Sequence, residues 1–129
     1  NKELDGGSFK NILTGNNKRV KRKTKGLIFH VPYENKIALE RAHSAIIIDS
    51  FKLVKYHDNR EVSLYDVKND LSEANDLSKI YHKGKLLNKK FTKRLEKLLD
   101  DYLKKVKAPK WKPGISWKAN TLKEINSFH

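Results

Sequence analysis

The chain of 129 residues has the size of one domain with a single modest core, and its formal net charge of +14 admits polyanionic partners. The sequence contains no cysteine, which excludes a disulfide framework, a thiolate metal site and a cysteine nucleophile. It also lacks a run of about 18 apolar residues, so we expect no membrane partner.

The first part of the chain is poor in apolar residues. Residues 1–25 combine glycine, asparagine and the basic block "KRVKRKTK" with one short apolar element around Phe9, Ile12 and Leu13. This composition is typical of a connecting segment. The following "GLIFHVPY" predicts a strand over residues 27–31 that Pro32 ends, and the polar stretch 34–43 is expected to be a loop.

The most apolar part of the chain is "AIIIDSFKLVKY". It predicts two strands, residues 44–48 and 51–56, because Asp49 and Ser50 between them suit a tight reversal. "EVSLYDV" predicts a third strand over residues 61–67 and thus an antiparallel meander. Apolar side chains alternate onto both faces of these strands, so we expect both faces to be covered.

A long amphipathic helix is predicted after Asn88 and before Pro109. Its apolar stripe recurs at helical spacing and comprises Phe91, Leu95, Leu98, Leu99, Tyr102, Leu103 and Val106. On its polar face, Asp100 with Lys104 and Asp101 with Lys105 are predicted to pair. Upstream, "NDLSEANDLSKIY" predicts a turn and a short helix that Asp70 or Ser72 caps. The predicted fold is α+β, a small antiparallel sheet of about four strands against a long C-terminal helix.

Four segments in order resemble the C-terminal part of type I sulfatases. "LYDVKNDLSEANDL" resembles Leu-Tyr-Asp-Leu followed by Asp-Pro-x-Glu-x-x-Asn-Leu: Asp70, Glu73 and Leu77 match, whereas Leu71 and Asp76 replace Pro and Asn. "SAIIIDSFKLV" is similar to Ser-Ala-Ile-Arg-x-Gly-Asp-Tyr-Lys-Leu-Ile. Upstream, "LDGGSFKNILTG" and "LIFHVPY" resemble Leu-Asp-Gly-x-Ser-x-x-Pro-Leu-Leu-x-Gly and Leu-Phe-Trp-His-Tyr-Pro-His-Tyr.

The resemblance implies an arylsulfatase-like or choline-sulfatase-like parent of the alkaline phosphatase superfamily. Such an enzyme hydrolyses sulfate esters of glycans or aryl compounds with calcium and with a formylglycine made in a Cys/Ser-x-Pro-x-Arg motif, which this sequence lacks. We therefore expect an accessory C-terminal subdomain that is inactive alone, with no cofactor of its own. The expected divisions are a connecting segment 1–25, the subdomain 26–108 and a tail 109–129.

The expected partner is an N-terminal catalytic domain missing from this chain. Without it, an apolar surface including residues 46–48 and part of the first 25 residues is expected to lie bare, which predicts self-association of the fragment or a poorly ordered head segment. A sulfated substrate is expected only through the parent, which on family grounds is periplasmic or secreted. We expect no nucleic-acid partner.

Two residues align with family positions that suggest substrate binding. His30 aligns with a histidine near the substrate entrance, and Lys52 with a family lysine; the alternatives are a histidine bonded to a backbone carbonyl and a solvated or paired lysine. Neither catalytic nor metal-binding residues are expected. Asp66, Asp70 and Glu73 could form an acid cluster, but their positions favour caps and turn acceptors.

Two other functional classes stay open. A basic nucleic-acid-binding module explains the charge, although the sequence has few arginines and no Gly-x-x-Gly loop. A separate module that binds sulfated glycans is the second alternative, with Trp111 and Trp117 as a sugar-stacking platform; the competing interpretation buries both indoles in the core.

Overall fold

The computed structural model describes residues 10–15, 24–34 and 41–110. The described elements are, in chain order, α1 (Lys10–Leu13), β1 (Leu27–Val31), β2 (His43–Ile48), β3 (Phe51–Tyr56), β4 (Val62–Asp66), a 3-10 turn (Leu77–Lys79), β5 (Tyr81–His82), β6 (Lys85–Leu86) and α2 (Lys89–Lys105). This arrangement confirms the α+β class, with one long C-terminal helix against a four-stranded sheet. None of the described helices has the length and apolar composition to cross a bilayer.

The main sheet is an antiparallel meander in the order β1-β2-β3-β4. The two central strands are joined by Asp49 and Ser50, as the sequence predicts, and Asp49 adopts a positive φ of 54°. β1 begins after Gly26, where an added Cβ would lie 2.6 Å from the carbonyl oxygen of Ile47. Only glycine lets the chain approach β2 this closely.

One face of the sheet, which we call the helix face, forms the core with α2. Ile28, Ile46, Leu53 and Leu64 are in register across the four strands and so point to the same side. Leu95 and Leu99 of α2 pack against this row, and Leu53, Leu64 and Leu99 are completely buried. Each buried leucine stabilises the fold by about 1.5–3 kcal/mol, so this cluster fixes the helix on the sheet.

The other face, which we call the open face, carries apolar side chains with less cover. Leu27, Phe29 and Ile47 point to this side, and the fractional exposures of Leu27 and Phe29 are 42% and 50%. Ala45 and Val54 lie between them and are buried. The prediction that residues 46–48 form a bare surface together is thus wrong in part, because strand alternation places Ile46 and Ile48 under α2 and leaves only Ile47 on the open face.

Two local elements differ from what the sequence predicts. The short helix predicted after Asp70 is a 3-10 turn whose N-cap is Asp76, because the Asp76 carboxylate accepts a hydrogen bond from the Ser78 amide. The β5–β6 hairpin is unpredicted; Lys83 and Gly84 form its tip with φ of 49° and 73°, as in a type I′ turn. The predicted loop 34–43 lies largely outside the described residues.

The ion pairs predicted along α2 are also wrong. Asp101 pairs with Lys97, one turn earlier, at 3.1 Å. Asp100 instead accepts from Lys55 of β3 at 2.7 Å, and Glu96 contacts the same ammonium at 3.0 Å. These two carboxylates are drawn to the sheet because Lys55 lies on the helix face, below α2.

Candidate functional site

A chain of hydrogen bonds connects three strands with the segment after α2. His30 of β1 and His57, just after β3, both contact the hydroxyl of Ser44, which is fully buried. The distances are 2.7 Å from His30 Nδ1 and 2.8 Å from His57 Nε2. On its other side, His30 Nε2 lies 2.7 Å from the carbonyl oxygen of Pro109.

The proton positions along this series of hydrogen bonds follow from the Pro109 carbonyl, which can only accept a hydrogen bond. His30 therefore donates from Nε2, and in its neutral form its Nδ1 accepts from the Ser44 hydroxyl. The Ser44 oxygen in turn accepts from Nε2–H of His57. With both imidazoles neutral, one arrangement of protons thus satisfies the hydrogen bonds that join the Pro109 carbonyl, His30, Ser44 and His57. Because the Ser44 hydroxyl is buried, removing either of its hydrogen-bond partners would be costly.

The end of α2 brings Pro109 to this position. Ala108 donates its amide to the carbonyl of Leu103 at 2.9 Å, and Lys107 donates to that of Lys104 at 3.2 Å. This is the double hydrogen bond of a Schellman motif, with Lys107 in the left-handed conformation at φ 53°. The motif reverses the chain so that residues 108–110 return towards β1.

A groove of about 860 Å³ lies between the end of α2 and this histidine pair. Its walls include four basic residues, Arg60, Lys104, Lys107 and Lys110, and one acidic residue, Asp58. Asp58 already accepts two hydrogen bonds from Arg41, at 2.8 and 2.7 Å. The groove is therefore an electropositive concavity with the two histidines in its lining.

Burial lowers the pKa of His57 below its ordinary value of 6.5, and the neighbouring His30 and Lys55 act in the same direction. The rings of His30 and His57 stand edge to face with centroids 5.5 Å apart. A proton on His57 is thus disfavoured, which agrees with the neutral His57 ring in the hydrogen bonds described above.

The two substrate-binding candidates lie on opposite faces of the sheet. His30 points to the helix face and lines the groove, with hydrogen bonds at both ring nitrogens. Lys52 points to the open face, and its ammonium lies 2.6 Å from the carboxylate of Glu73. The structure thus places His30 in the groove and Lys52 on the open face, opposite Ile47 of the neighbouring strand.

The carboxylates of the family-like motif act in local structure. Asp70 accepts hydrogen bonds from the backbone amides of Asn75 and Ala74, which hold its pKa below the ordinary range. The pKa of Asp66 is lowered in the same way, first by the side-chain amide of Asn69 and then by the backbone amide of Lys68. Asp76 accepts from the amide of Leu64 at 3.0 Å and so fastens the 3-10 turn to β4. Its other oxygen is buried and lies 3.2 Å from the Lys79 ammonium. These acids serve as turn acceptors and a cap.

The residues of this chain do not fit the groups that sulfatase chemistry requires. No serine or cysteine of the sequence stands in a Ser/Cys-x-Pro-x-Arg motif, so none can become the formylglycine of that motif. Within the described ranges, no three His, Asp or Glu side chains lie together as metal ligands. Trp111 and Trp117 lie outside the described residues.

Sequence reasoning missed Ser44 and His57 as partners of His30. His30 and Ser44 lie on the same face because they pair directly across β1 and β2. The sequence alone does not determine this register, so it could not predict the contact. His57 reaches the hydroxyl because its amide bonds to the carbonyl of Ala42 and extends the strand pairing by one residue.

The meander with its single long helix, together with the order of the four family-like segments, defines the C-terminal subdomain of a sulfatase. The chain belongs to the family described as N-sulphoglucosamine sulphohydrolase, C-terminal, whose family model matches residues 1–118. No curated protein matches it.

Among solved structures, the chain is similar to BT4656, described in complex with its substrate D-glucosamine-2-N,6-O-disulfate, at 25% identity and a TM-score of 0.59. The match covers 83% of this chain and 21% of that one. The chain therefore spans about a fifth of the length of this relative. An N-terminal catalytic domain is implied as the partner of such a subdomain.

Proposed function

We propose that this accessory subdomain rests its open face on the catalytic domain of a sulfatase that acts on a sulfated glycan or an aryl sulfate, and that it has no activity alone. The observation that carries the proposal is the half-exposed pair Leu27 and Phe29 on β1, beside Ile47, opposite the face that α2 covers. An apolar patch of this kind marks an interface when it is continuous with buried side chains.

The catalytic domain is the occupant that fits this face best. The match to BT4656 leaves most of that chain outside the aligned part, and the family is defined as C-terminal. The proposed divisions are the connecting segment 1–25, the subdomain 26–108 and the tail 109–129. Self-association of the isolated chain through the same face is the expected consequence when the catalytic domain is absent.

Both predicted site residues are proposed to contact substrate in the complete enzyme, Lys52 at the entrance beside the catalytic domain and His30 from the groove on the opposite face. Lys52 supports this role because it lies on the open face, where Glu73 holds its ammonium in place. His30 supports it because the ring lines the basic groove. In the complete enzyme, Lys52→Ala and His30→Gln are expected to raise KM more than they lower kcat.

Binding of the separately expressed catalytic domain tests the docking proposal. The double variant L27K/F29K is expected to weaken association at least tenfold, since charges on a buried apolar face must be desolvated. The matched control L71K/L87K changes two leucines that are 88% and 62% exposed elsewhere on the surface, and it should bind like the unchanged chain. Equal loss in both variants, or sulfate release by the isolated chain, contradicts the proposal.

A further inference from the structure

Four basic side chains converge on the groove, and within the described part of the chain none of them has an acidic partner. Arg41, Lys52, Lys55, Lys79 and Lys97 each form an ion pair. Among the described residues, no carboxylate lies within ion-pair distance of the four groove cations, and the single acid of the lining is held by Arg41. The positive charge of the groove is therefore available to a ligand.

Three different segments supply these charges to one concavity. Lys104 and Lys107 are three residues apart at the end of α2, Lys110 follows the Schellman turn, and Arg60 comes from the turn between β3 and β4. Cations on separate elements can contact an extended ligand at several points along its length. A convergent, concave arrangement also raises the local potential more than the same charges on a flat surface.

We propose that this groove binds a sulfated glycan chain, whose sulfo groups pair with Lys104, Lys107, Lys110 and Arg60. The anionic character of the ligand follows from the groove itself, and the choice of a glycan rests on the function proposed above. Lysine ammonium groups suit sulfo groups because they act as point charges and need no fixed planar geometry. The groove lies on the helix side of the sheet, so a docked catalytic domain on the open face leaves it accessible to ligand.

Binding should couple to protonation of His57, whose Nδ1 has no hydrogen-bond partner among the described residues. The titratable and charged groups around this ring come from every element packed against it: His30 of β1, His43 of β2, Lys55 of β3, Asp58 and Arg60 of the following turn, and Asp100, Lys104, Lys107 and Lys110 of α2 and the segment after it. A bound sulfo group offsets the surrounding positive charge and favours the protonated ring. The ligand should consequently bind more tightly as the pH falls below 6.5.

The test measures binding of a heparin-derived octasaccharide to the full chain at pH 7.5 and 5.5. The variant K104Q/K107Q/K110Q removes three groove charges, and the control K68Q/K83Q/K93Q removes three exposed lysines that are not in the lining of this groove. The sets are matched because each contains one lysine with a positive φ, Lys107 or Lys83. Thermal unfolding of both variants first establishes that they fold.

We expect the groove variant to bind about ten- to hundredfold more weakly because it loses three ion pairs, and the control to bind nearly as tightly as the unchanged chain. His57→Gln keeps an N–H for Ser44 and should reduce the gain in affinity between pH 7.5 and 5.5. Equal weakening in both lysine variants overturns the proposal, as does full binding of the desulfated octasaccharide.

Binding of a single-stranded DNA of equal charge distinguishes a glycan-binding site from a nucleic-acid-binding site. Tighter binding of the DNA, lost in the groove variant, overturns the glycan assignment in favour of a nucleic-acid site. None of these outcomes alters the docking test above, because the three substituted lysines lie outside the open face. A negative result for the groove proposal is therefore distinguishable from a negative result for the docking proposal.

Discussion

The two faces of the sheet share the same strands but differ in how they are covered. On the helix face, Leu53 and Leu64 are completely buried under Leu95 and Leu99. On the open face, Phe29 is half exposed, and the buried side chains among the described residues are the smaller Ala45, Val54 and Ser63. Each strand contributes side chains to both faces, since every second residue points the other way. The difference teaches that the described residues complete one core and leave the other face partly exposed, as the proposed docking requires.

The largest expected effect comes from a change in the completed core. Leu53→Ala should lower the free energy of unfolding of the isolated chain by about 2–5 kcal/mol, because it leaves a cavity among fully buried side chains. Phe29→Ala on the open face should cost less than about 1 kcal/mol in the same measurement. Urea unfolding followed by circular dichroism measures both, and similar losses would remove the distinction between the faces.

Gly26→Ala tests the close approach of β1 to β2. The added Cβ meets the backbone oxygen of Ile47 at 2.6 Å, so the strand must shift, at a cost of about 1–3 kcal/mol. Gly84→Ala is the control, since its Cβ would meet nothing within 4 Å and only its φ of 73° is unfavourable. An alanine at 26 that leaves the unfolding midpoint unchanged contradicts the described β1–β2 contact.

Asp76 joins the far edge of the sheet to the 3-10 turn. Asp76→Ala removes the acceptor for the amide of Leu64 and for Ser78, and should lower the free energy of unfolding by about 1–3 kcal/mol. Asp76→Asn keeps an oxygen acceptor and should restore most of that loss. If the two variants have equal stability in urea, the hydrogen bonds are not what fastens the turn.

The pH dependence of stability tests the hydrogen-bond chain on the helix face. The pKa of His57 is lowered in the folded state, so the unfolded chain takes up the proton first as the pH falls through 6.5. The stabilisation from the neutral ring is thus complete above pH 6.5 and is lost as the pH falls through the lower folded value. His57→Gln should flatten the curve of unfolding free energy between pH 7.5 and 5; an unchanged curve assigns the dependence to other groups.

The smallest effect is expected at the end of α2. Lys107 has a φ of 53°, which glycine adopts without strain, so Lys107→Gly should stabilise the chain by about 1 kcal/mol or less. Lys105→Gly, inside the last helical turn, should destabilise it by about the same amount. Thermal unfolding of the pair gives the sign of each effect, and destabilisation by glycine at 107 speaks against the Schellman motif.

The sequence predicted the strands because their signals are local. β1 has the predicted bounds, and β2 and β3 differ by at most one residue, since apolar runs and the Asp49–Ser50 turn define them. The 3-10 turn and the β5–β6 hairpin were missed because they depend on the Asp76 hydrogen bonds and on positive φ at Lys83. The histidine chain was missed because it joins residues up to 79 positions apart.

The central claim is that the open face is buried against a catalytic domain in the complete enzyme. Because this chain has no cysteine, Phe29→Cys and Leu87→Cys each introduce one unique thiol into it. Alkylation at position 29, mapped by mass spectrometry, should be fast in the isolated chain and at least tenfold slower in the full-length enzyme, with position 87 reacting fast in both. Equal rates at position 29 in the two proteins would show that the open face stays open, contrary to the claim.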